Sequence, residues 1–191
     1  MPNIRGPLRE LKSTIAREAG EEASEAIMKD SHSLRDSSPK EDVAQWVKAA
    51  MERMDGLLDL ETRMRIMSSC GRNCADHSHT GPVASALKRR SGYEKLEDFL
   101  NAEARSPPRG MLVERDGNTI IFGYTPDAYG VRCYCGLVQG LPPGEIMSVT
   151  YCNCSMGFVE RYWEQVLGRH VKVELLESAV TGSTICRFRV T

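Results

Sequence analysis

The sequence predicts an α+β domain, in which N-terminal helices are followed by an antiparallel sheet with one long helix before a C-terminal hairpin. Two observations predict this order. Up to about residue 104, apolar residues recur at three- and four-residue spacing, which is typical of amphipathic helices. From Met111 onward, most segments are rich in β-branched and aromatic residues and are separated by turn residues, which is typical of strands.

The first helix is expected within residues 8–30, where Leu8, Leu11 and Ile15 begin a thin apolar stripe among charged residues. Residues 30–38 are polar and lack apolar periodicity, so we expect a linker there. The chain is therefore divided into a helical arm and linker, residues 1–38, and a single α+β domain for metal and small-molecule binding, residues 39–191. The arm is expected to be solvated or to form the contact of a homodimer.

Four further helices are expected before the sheet. Ser38-Pro39-Lys40-Glu41 has the residues of a capped helix start, because a serine cap, a proline and an acid follow in the favoured order. A shorter helix is expected to begin after Asp59 and to end at Gly71. The last two helices are expected at residues 82–90 and 93–104.

The remaining chain is expected to form strands, with one helix among them. That helix spans about residues 155–167, because Phe158, Tyr162 and Val166 return to helical spacing. Asp116-Gly117-Asn118 and Thr181-Gly182-Ser183 are expected to be hairpin turns. The expected strands are residues 111–115, 119–125, 131–138, 146–154, 171–176 and 185–190.

Composition narrows the possible partners and the compartment. With 25 basic and 26 acidic residues, the chain has no overall field to attract nucleic acid or an anionic membrane. No apolar run approaches the roughly 20 residues of a membrane span, and the first residues lack the apolar core of a signal peptide. Seven cysteines, an odd number, favour the reducing cytoplasm, where thiols stay free. We expect a cytoplasmic protein with no nucleic-acid or membrane partner.

Five cysteines in the last third form the first candidate site. Because side chains alternate along a strand, each Cys-x-Cys pair is expected to present both sulfurs on one face. Thiolates are preferred ligands of zinc, so the pattern predicts a zinc site. Buried inert thiols and an iron–sulfur cluster are the two alternatives. The expected metal ligands are Cys133, Cys135, Cys152, Cys154 and Cys186.

A second candidate lies at Cys70-Gly71-Arg72-Asn73-Cys74, which is followed by His77 and His79. Cys70 and Cys74 are expected to act as a catalytic nucleophile or redox pair, since a neighbouring cation would stabilise a thiolate. Arg72 is expected to attract an anionic group of a ligand. The equally weighted alternative is a glycine-bent loop with buried cysteines and exposed histidines.

Aromatic residues provide the third candidate. Tyr124, Tyr134 and Trp163 are expected to contact a small organic ligand, although such residues more often fill a core. The chain lacks the glycine motifs of nucleotide-binding loops, as well as the HExxH and GxSxG motifs of common hydrolases. The aromatic residues thus favour a small-molecule-binding domain.

The tail also resembles a known family. Gly157-Phe158, Val166-Leu167-Gly168 and Cys186-Arg187-Phe188-Arg189-Val190 look like the end of the vinyl reductase-like small-molecule-binding domain. The likeness covers about 60 residues well. It implies a buried pocket for a small apolar ligand beside a zinc that is held by cysteines on the late strands and an earlier carboxylate.

The resemblance also implies particular residues. Cys186 and Cys152 match two cysteine ligands of that family, whereas Ser178 occupies the position of a third and the carboxylate falls near Cys133. Cys133, Cys135 or Cys154 would then complete the zinc site. The subgroup with CGRxC and YCxC segments is sometimes grouped with hydrolases that open a thiazoline carboxylic acid ring. A hydrolase acting through metal-bound water or a cysteine is therefore the alternative function.

Overall fold

The computed structural model describes residues 4–77 and 81–191, and it confirms the α+β class and the predicted order of elements. The helices of these residues are α1 (Arg5–Ala19), α2 (Glu21–Ile27), α3 (Lys40–Leu57), α4 (Leu60–Asp76), α5 (Pro82–Arg90), α6 (Leu96–Arg105) and α7 (Cys152–Leu167). The strands are β1 (Met111–Asp116), β2 (Thr119–Tyr124), β3 (Val173–Glu177) and β4 (Cys186–Val190).

The four strands form one antiparallel sheet in the order β1-β2-β4-β3. The expected turn between β1 and β2 is confirmed: Asp116 pairs with Thr119, and Gly117 adopts a φ of +57°, which glycine tolerates best. Phe122 on β2 lies opposite Phe188 on β4, and both side chains are fully buried. Together with α7 residues such as Trp163, they form one of two apolar clusters.

Helices α4 and α7 cross with their backbones in contact. A Cβ atom added at Gly71 would lie 1.8 Å from the carbonyl oxygen of Cys154, and one added at Gly157 would lie 2.1 Å from that of Ser68. The prediction that Gly71 ends its helix is therefore wrong, because α4 continues to Asp76. Gly71 lies within the helix because only a residue without a side chain fits this crossing.

The strands predicted at residues 131–138 and 146–154 are also wrong. Residues 131–148 have no regular secondary structure, and a short 3-10 turn, Val149–Tyr151, leads into α7. Carbonyl groups here bond side chains rather than a neighbouring strand: Arg132 Nη1 donates to the carbonyl oxygens of Pro142, at 2.8 Å, and Glu145, at 2.7 Å. Local β-propensity was overridden by these contacts.

Helices α1 and α2 pack on the rest of the protein. Their apolar residues, including the fully buried Ile15 and Ile27, share a second apolar cluster with Met51 of α3. The indole of Trp46 donates to the carbonyl oxygen of Lys29 at 2.8 Å. The division of the chain at residue 38 stays a prediction.

Candidate functional site

All seven cysteines are free, and they form two neighbouring groups. The first group, the crossing thiols, consists of Cys70, Cys74, Cys135 and Cys154. Cys70 and Cys74 flank Gly71 on α4, and Cys154 supplies the carbonyl that Gly71 contacts. Burial raises the pKa of the Cys154 thiol, and the neighbouring Cys135, Cys70 and Cys74 raise it further.

The second group, the Ser178 thiols, consists of Cys133, Cys152 and Cys186. The Sγ atom of Cys152 lies 2.8 Å from the Oγ atom of Ser178. The backbone N–H of Ala179 donates to the Sγ atom of Cys186 at 3.4 Å. Cys133 lies within electrostatic reach of both other thiols. The structure thus brings together the four positions that the family resemblance singled out.

The alternation argument for the Cys-x-Cys pairs is wrong, because neither pair lies on a strand. Cys152 and Cys154 belong to the first turn of α7, whereas Cys133 and Cys135 lie in an irregular segment. The N–H of Cys135 donates to the Sγ atom of Cys133 at 3.4 Å, so this pair forms a tight local turn. The two pairs therefore reach their neighbours by tertiary packing rather than by strand periodicity.

Burial determines the protonation of the thiols. It raises the pKa of Cys70 to about 11 and that of Cys152 to about 11. Burial also raises the pKa of Cys133 and that of Cys154, and neighbouring cysteines raise both further. A thiolate nucleophile needs the opposite shift. These thiols are therefore neutral at physiological pH. For Cys70, this agrees with the alternative interpretation in which the cysteine is buried rather than reactive.

The predicted metal site is wrong in the part of the chain that the structure describes. There, no three histidine, cysteine or acidic side chains are arranged to hold a metal ion. Cys133, Cys135, Cys152, Cys154 and Cys186 are therefore neighbours without the geometry of a ligand set. His79 lies outside the described residues, and His77 is exposed, with its Nδ1 atom 2.7 Å from the carbonyl oxygen of Asn73.

Arg72 is engaged by two acids of α7. Its Nη1 atom donates to Glu160 and its Nη2 atom to Glu164, each at 2.8 Å. Burial alone would raise the pKa of Glu164, but hydrogen bonds from His170 and Arg72 lower it below its ordinary value. Sequence reasoning missed these partners, although acids four residues apart on one helix face the same side. Arg72 joins α4 to α7.

The three predicted ligand-binding aromatic residues belong to one continuous set, the aromatic path. From the surface inward, the successive ring centroids are separated by 5.6, 5.6, 5.2 and 5.5 Å. Tyr129 is 52% exposed at the outer end, whereas Trp163 is 1% exposed at the inner end. Phe122 lies between Tyr124 and Trp163 and connects the two halves of the path. The path consists of Tyr129, Tyr134, Tyr124, Phe122 and Trp163.

Trp163 carries an unusual polar group. Its Nε1–H is buried and has no hydrogen-bond partner among the described residues. Trp46, in contrast, donates its indole N–H to the carbonyl of Lys29. Buried polar groups are usually paired, so this orphaned donor at the inner end of the path is a candidate contact for a ligand.

The two outer residues of the path, Tyr129 and Tyr134, belong to residues 126–148, which we call the cover segment. Tyr134 donates its hydroxyl to the carbonyl oxygen of Gly110, and Tyr129 donates to that of Arg109, each at 2.9 Å. Residues of this segment and Glu41 of α3 line an open cleft of about 550 Å³. The cleft is lined by Glu41, Asp127, Gly130, Val131, Arg132, Gln139, Gly140, Leu141, Pro142 and Pro143.

A protein-family model described as "Family of unknown function (DUF6144)" matches residues 7–191. The chain belongs to this family. No curated protein matches this DUF6144 member.

Two solved structures of an H-NOX protein from S. oneidensis resemble the chain. The first, a mutant in the Fe(II) ligation state, has a TM-score of 0.48 at 10% identity, with 97% of this chain and 94% of that chain covered. The second, in the Fe(II)NO ligation state, has a TM-score of 0.46 at 10% identity, with 97% of each chain covered.

The predictions of a zinc-thiolate protein, a hydrolase and an iron–sulfur protein are wrong. Burial raises the pKa of Cys70 and of Cys74, which opposes a thiolate nucleophile. The described residues also lack a three-ligand metal group, which removes zinc as the expected cofactor. As for membranes, no helix in residues 4–77 and 81–191 combines the length and apolarity that crossing one requires.

Proposed function

We propose that this DUF6144 protein is a small-molecule-binding domain whose ligand lies along the aromatic path and accepts a hydrogen bond from Trp163. The observation that carries the proposal is the buried indole N–H without a partner in the described part of the chain. Leaving a buried donor unpaired costs about 1–3 kcal/mol, which an acceptor on the ligand would recover.

The surroundings of Trp163 define the class of ligand. Phe122 and Tyr162 lie edge-on to its indole, with ring centroids 5.5 and 5.3 Å away. Such walls favour a flat, apolar molecule. A neutral acceptor, such as a ketone oxygen, suits this apolar place better than a carboxylate, because burying an unpaired charge costs more.

The Ser178 thiols support the same location. Burial raises the pKa of Tyr124 and so do the neighbouring Cys186 and Cys133, which therefore lie close to the middle of the path. In the vinyl reductase-like resemblance, these positions lie beside a pocket for a small apolar ligand. We include membership of that wider group in the proposal, with the thiols acting as soft apolar lining.

The cover segment provides a route by which a ligand could reach the aromatic path. It holds the outer tyrosines through two hydroxyl bonds to the backbone of Arg109 and Gly110, which can break without unfolding the sheet. Long irregular segments within compact domains are often functional loops of this kind. A ligand would enter past Tyr129 and Tyr134 and move inward to Trp163.

The test uses acetophenone and ethylbenzene, two molecules of similar shape of which only the first carries an acceptor. In a Trp46→Phe variant, Trp163 is the sole tryptophan, and its emission reports binding. We expect acetophenone to bind about tenfold more tightly than ethylbenzene, since a net hydrogen bond contributes about 1 kcal/mol or slightly more.

The matched control is Trp163→Phe, which keeps an aromatic ring and removes the N–H. Binding to this variant is measured by calorimetry, and the preference for acetophenone should disappear. Equal affinities of the two molecules for the Trp46→Phe protein, or no binding of either, would refute the proposal.

A further inference from the structure

The first part of the cover segment, residues 126–136, is attached to the sheet mainly through side chains. We call it the outer loop. In the described part of the chain, its backbone–backbone hydrogen bonds are local, the longest joining the N–H of Val131 to the carbonyl oxygen of Pro126. The loop begins after Thr125, which follows β2, and ends before Leu137, whose side chain is buried in the apolar cluster of α1, α2 and α3. Its two ends are therefore fixed, whereas the position of its middle depends on side-chain contacts.

Gly110 is the point on which both tyrosines of the outer loop rest. It immediately precedes β1 and adopts a φ of +78°. A Cβ atom added at Gly110 would lie 2.4 Å from the Cε2 atom of Tyr129 and 2.4 Å from the hydroxyl oxygen of Tyr134. Both distances are much shorter than van der Waals contact, so only glycine permits this closed arrangement.

The hydroxyl of Tyr134 can leave Gly110 without leaving a polar group unpaired. It donates to the carbonyl oxygen of Gly110 at 2.9 Å and lies 3.3 Å from that of Thr125. The carbonyl oxygen of Gly110 also accepts the N–H of Thr125 at 2.9 Å, so it keeps a partner when the tyrosine moves away. Tyr134 is 38% exposed, and its hydroxyl can bond water instead. The contact is therefore readily reversible.

Tyr129 forms a second attachment at the surface. Its hydroxyl donates to the carbonyl oxygen of Arg109 at 2.9 Å. The guanidinium carbon of Arg109 lies 5.0 Å from the centroid of the Tyr129 ring, and its Nη2 atom donates to the carbonyl oxygen of Ala128 at 3.0 Å. The two tyrosines thus hold the outer loop against the two residues that precede β1.

We propose that the outer loop is a gate, which Tyr129 and Tyr134 close on Gly110 and which opens when their hydroxyl groups exchange the backbone for water. Opening moves Tyr134 away from Tyr124, the next ring of the aromatic path, whose centroid lies 5.6 Å away in the closed form. Cys133 precedes Tyr134 in the chain and leaves its half-buried position together with the loop. The gate follows from these contacts alone, whereas its control of ligand entry rests on the proposed function.

A gate of this kind controls rates and not affinity. If the two tyrosines close in the same way on the empty and on the occupied protein, weakening their bonds raises the association and dissociation rate constants by the same factor. Kd then stays the same. Trp163, in contrast, contacts the ligand in the proposed function, so its replacement changes Kd.

Cys133 provides a test of the gate that needs no ligand. Its thiol is half-buried and burial raises its pKa, so alkylation by iodoacetamide requires opening. In the full wild-type chain, we expect the alkylation rate of Cys133 to be nearly independent of urea below the unfolding transition, because a local opening exposes little surface. The rate of the buried Cys152 on α7 should rise steeply with urea, because it requires global unfolding. Fragment masses locate each label. The same urea dependence for both thiols would overturn the gate.

Two substitutions test how the gate is held closed. Tyr134→Phe keeps the ring and removes the hydroxyl, so alkylation of Cys133 should become about fivefold faster, the factor that corresponds to one net hydrogen bond. Gly110→Ala pushes both tyrosines outward, and we expect an increase of about tenfold or more.

The matched control is Gly117→Ala in the β1–β2 turn. Gly117 also has a positive φ, +57°, but a Cβ atom there meets nothing within 4 Å. Alkylation of Cys133 should therefore stay within about twofold of the wild-type rate. An unchanged rate in Tyr134→Phe, or equal rates in Gly110→Ala and Gly117→Ala, would overturn the proposal. Tyr134→Phe decides alone if Gly110→Ala does not fold.

Stopped-flow measurement of Trp163 emission in the Trp46→Phe protein tests the control of entry. Adding Tyr134→Phe should raise both rate constants for acetophenone about fivefold and leave Kd unchanged. Unchanged rate constants, or a change in Kd without a faster association, would overturn the effect on entry. Absence of acetophenone binding refutes the proposed function instead, while the gate is judged separately by the alkylation of Cys133.

Discussion

Gly71 of α4 lies directly against the backbone carbonyl of Cys154 on α7, and Gly157 of α7 lies in the same way against Ser68 of α4. This contact explains why a glycine follows Cys70 in the middle of a helix. It sets the distance between the two helices and thereby the positions of the crossing thiols.

Replacing Gly71 with alanine should destabilise the protein. The added methyl group would overlap backbone atoms, which cannot rotate away as a side chain can, so we expect a loss of about 1–3 kcal/mol or more in the free energy of unfolding. The control is Gly56→Ala in α3, where a Cβ meets nothing within 4 Å. That change should leave stability equal or raise it by about 0.5–1 kcal/mol. Urea unfolding measures both, and equal stabilities would contradict the close contact.

The ion pairs of Glu164 should make stability depend on pH in the acidic range. Its pKa in the folded protein is lower than its ordinary value of 4.5. A lowered folded pKa contributes stability that is fully present above the unfolded pKa and is lost as pH falls through the folded pKa. We therefore expect unfolding free energy to decline as pH decreases below about 5, and Glu164→Gln to reduce this slope.

The matched control for that measurement is Glu61→Gln. Glu61 is 91% exposed and lies 3.7 Å from Arg65, so its pair contributes little. Urea titrations between neutral and acidic pH should give the wild-type slope for Glu61→Gln. A wild-type slope for Glu164→Gln as well would show that the carboxyl of Glu164 is not held by Arg72 and His170.

Thiol labelling should separate Cys74 from the buried cysteines. In the folded protein at pH 8, iodoacetamide should modify Cys74 first, because it is the exposed cysteine of the chain. Cys70 and Cys152 should react only after unfolding, since burial both covers them and raises the pKa of each to about 11. The Cys74 rate should rise about tenfold per pH unit up to its own raised pKa. Rapid labelling of Cys70 at neutral pH, read by peptide mass, would contradict the protonation described above.

Local patterns in the sequence predicted the fold well where each element follows its own periodicity. The long helix before the hairpin and the turn at Gly117 depend on neighbours close in the chain, and both were found as expected. Residues 131–138 were misassigned because Leu137 and Val138 pack in the apolar cluster of α1, α2 and α3, and Arg132 bonds the carbonyls of Pro142 and Glu145, so no strand of the described residues pairs with this segment. Gly71 was misread as a helix end because its reason to be glycine lies on α7.

The candidate site was only partly predictable for the same reason. Tyr124, Tyr134 and Trp163 were named from their residue types, but the connection of Trp163 to Tyr124 through Phe122 requires α7 to pack on β2. The Cys-x-Cys spacing suggested shared faces of strands, whereas tertiary packing arranges the sulfurs. The sequence could not predict that the N–H of Trp163 is unpaired, because this depends on which acceptors the fold places near the indole.

The most direct test of the proposed function is the nuclear magnetic resonance signal of the two indole N–H groups, from Trp46 and Trp163, during titration with acetophenone. Trp46 already donates to Lys29 and serves as the internal control. We predict that the Trp163 signal moves downfield in a saturable manner as it gains an acceptor, while that of Trp46 stays in place. A Trp163 signal that does not move with acetophenone, or that moves equally with ethylbenzene, would contradict the account.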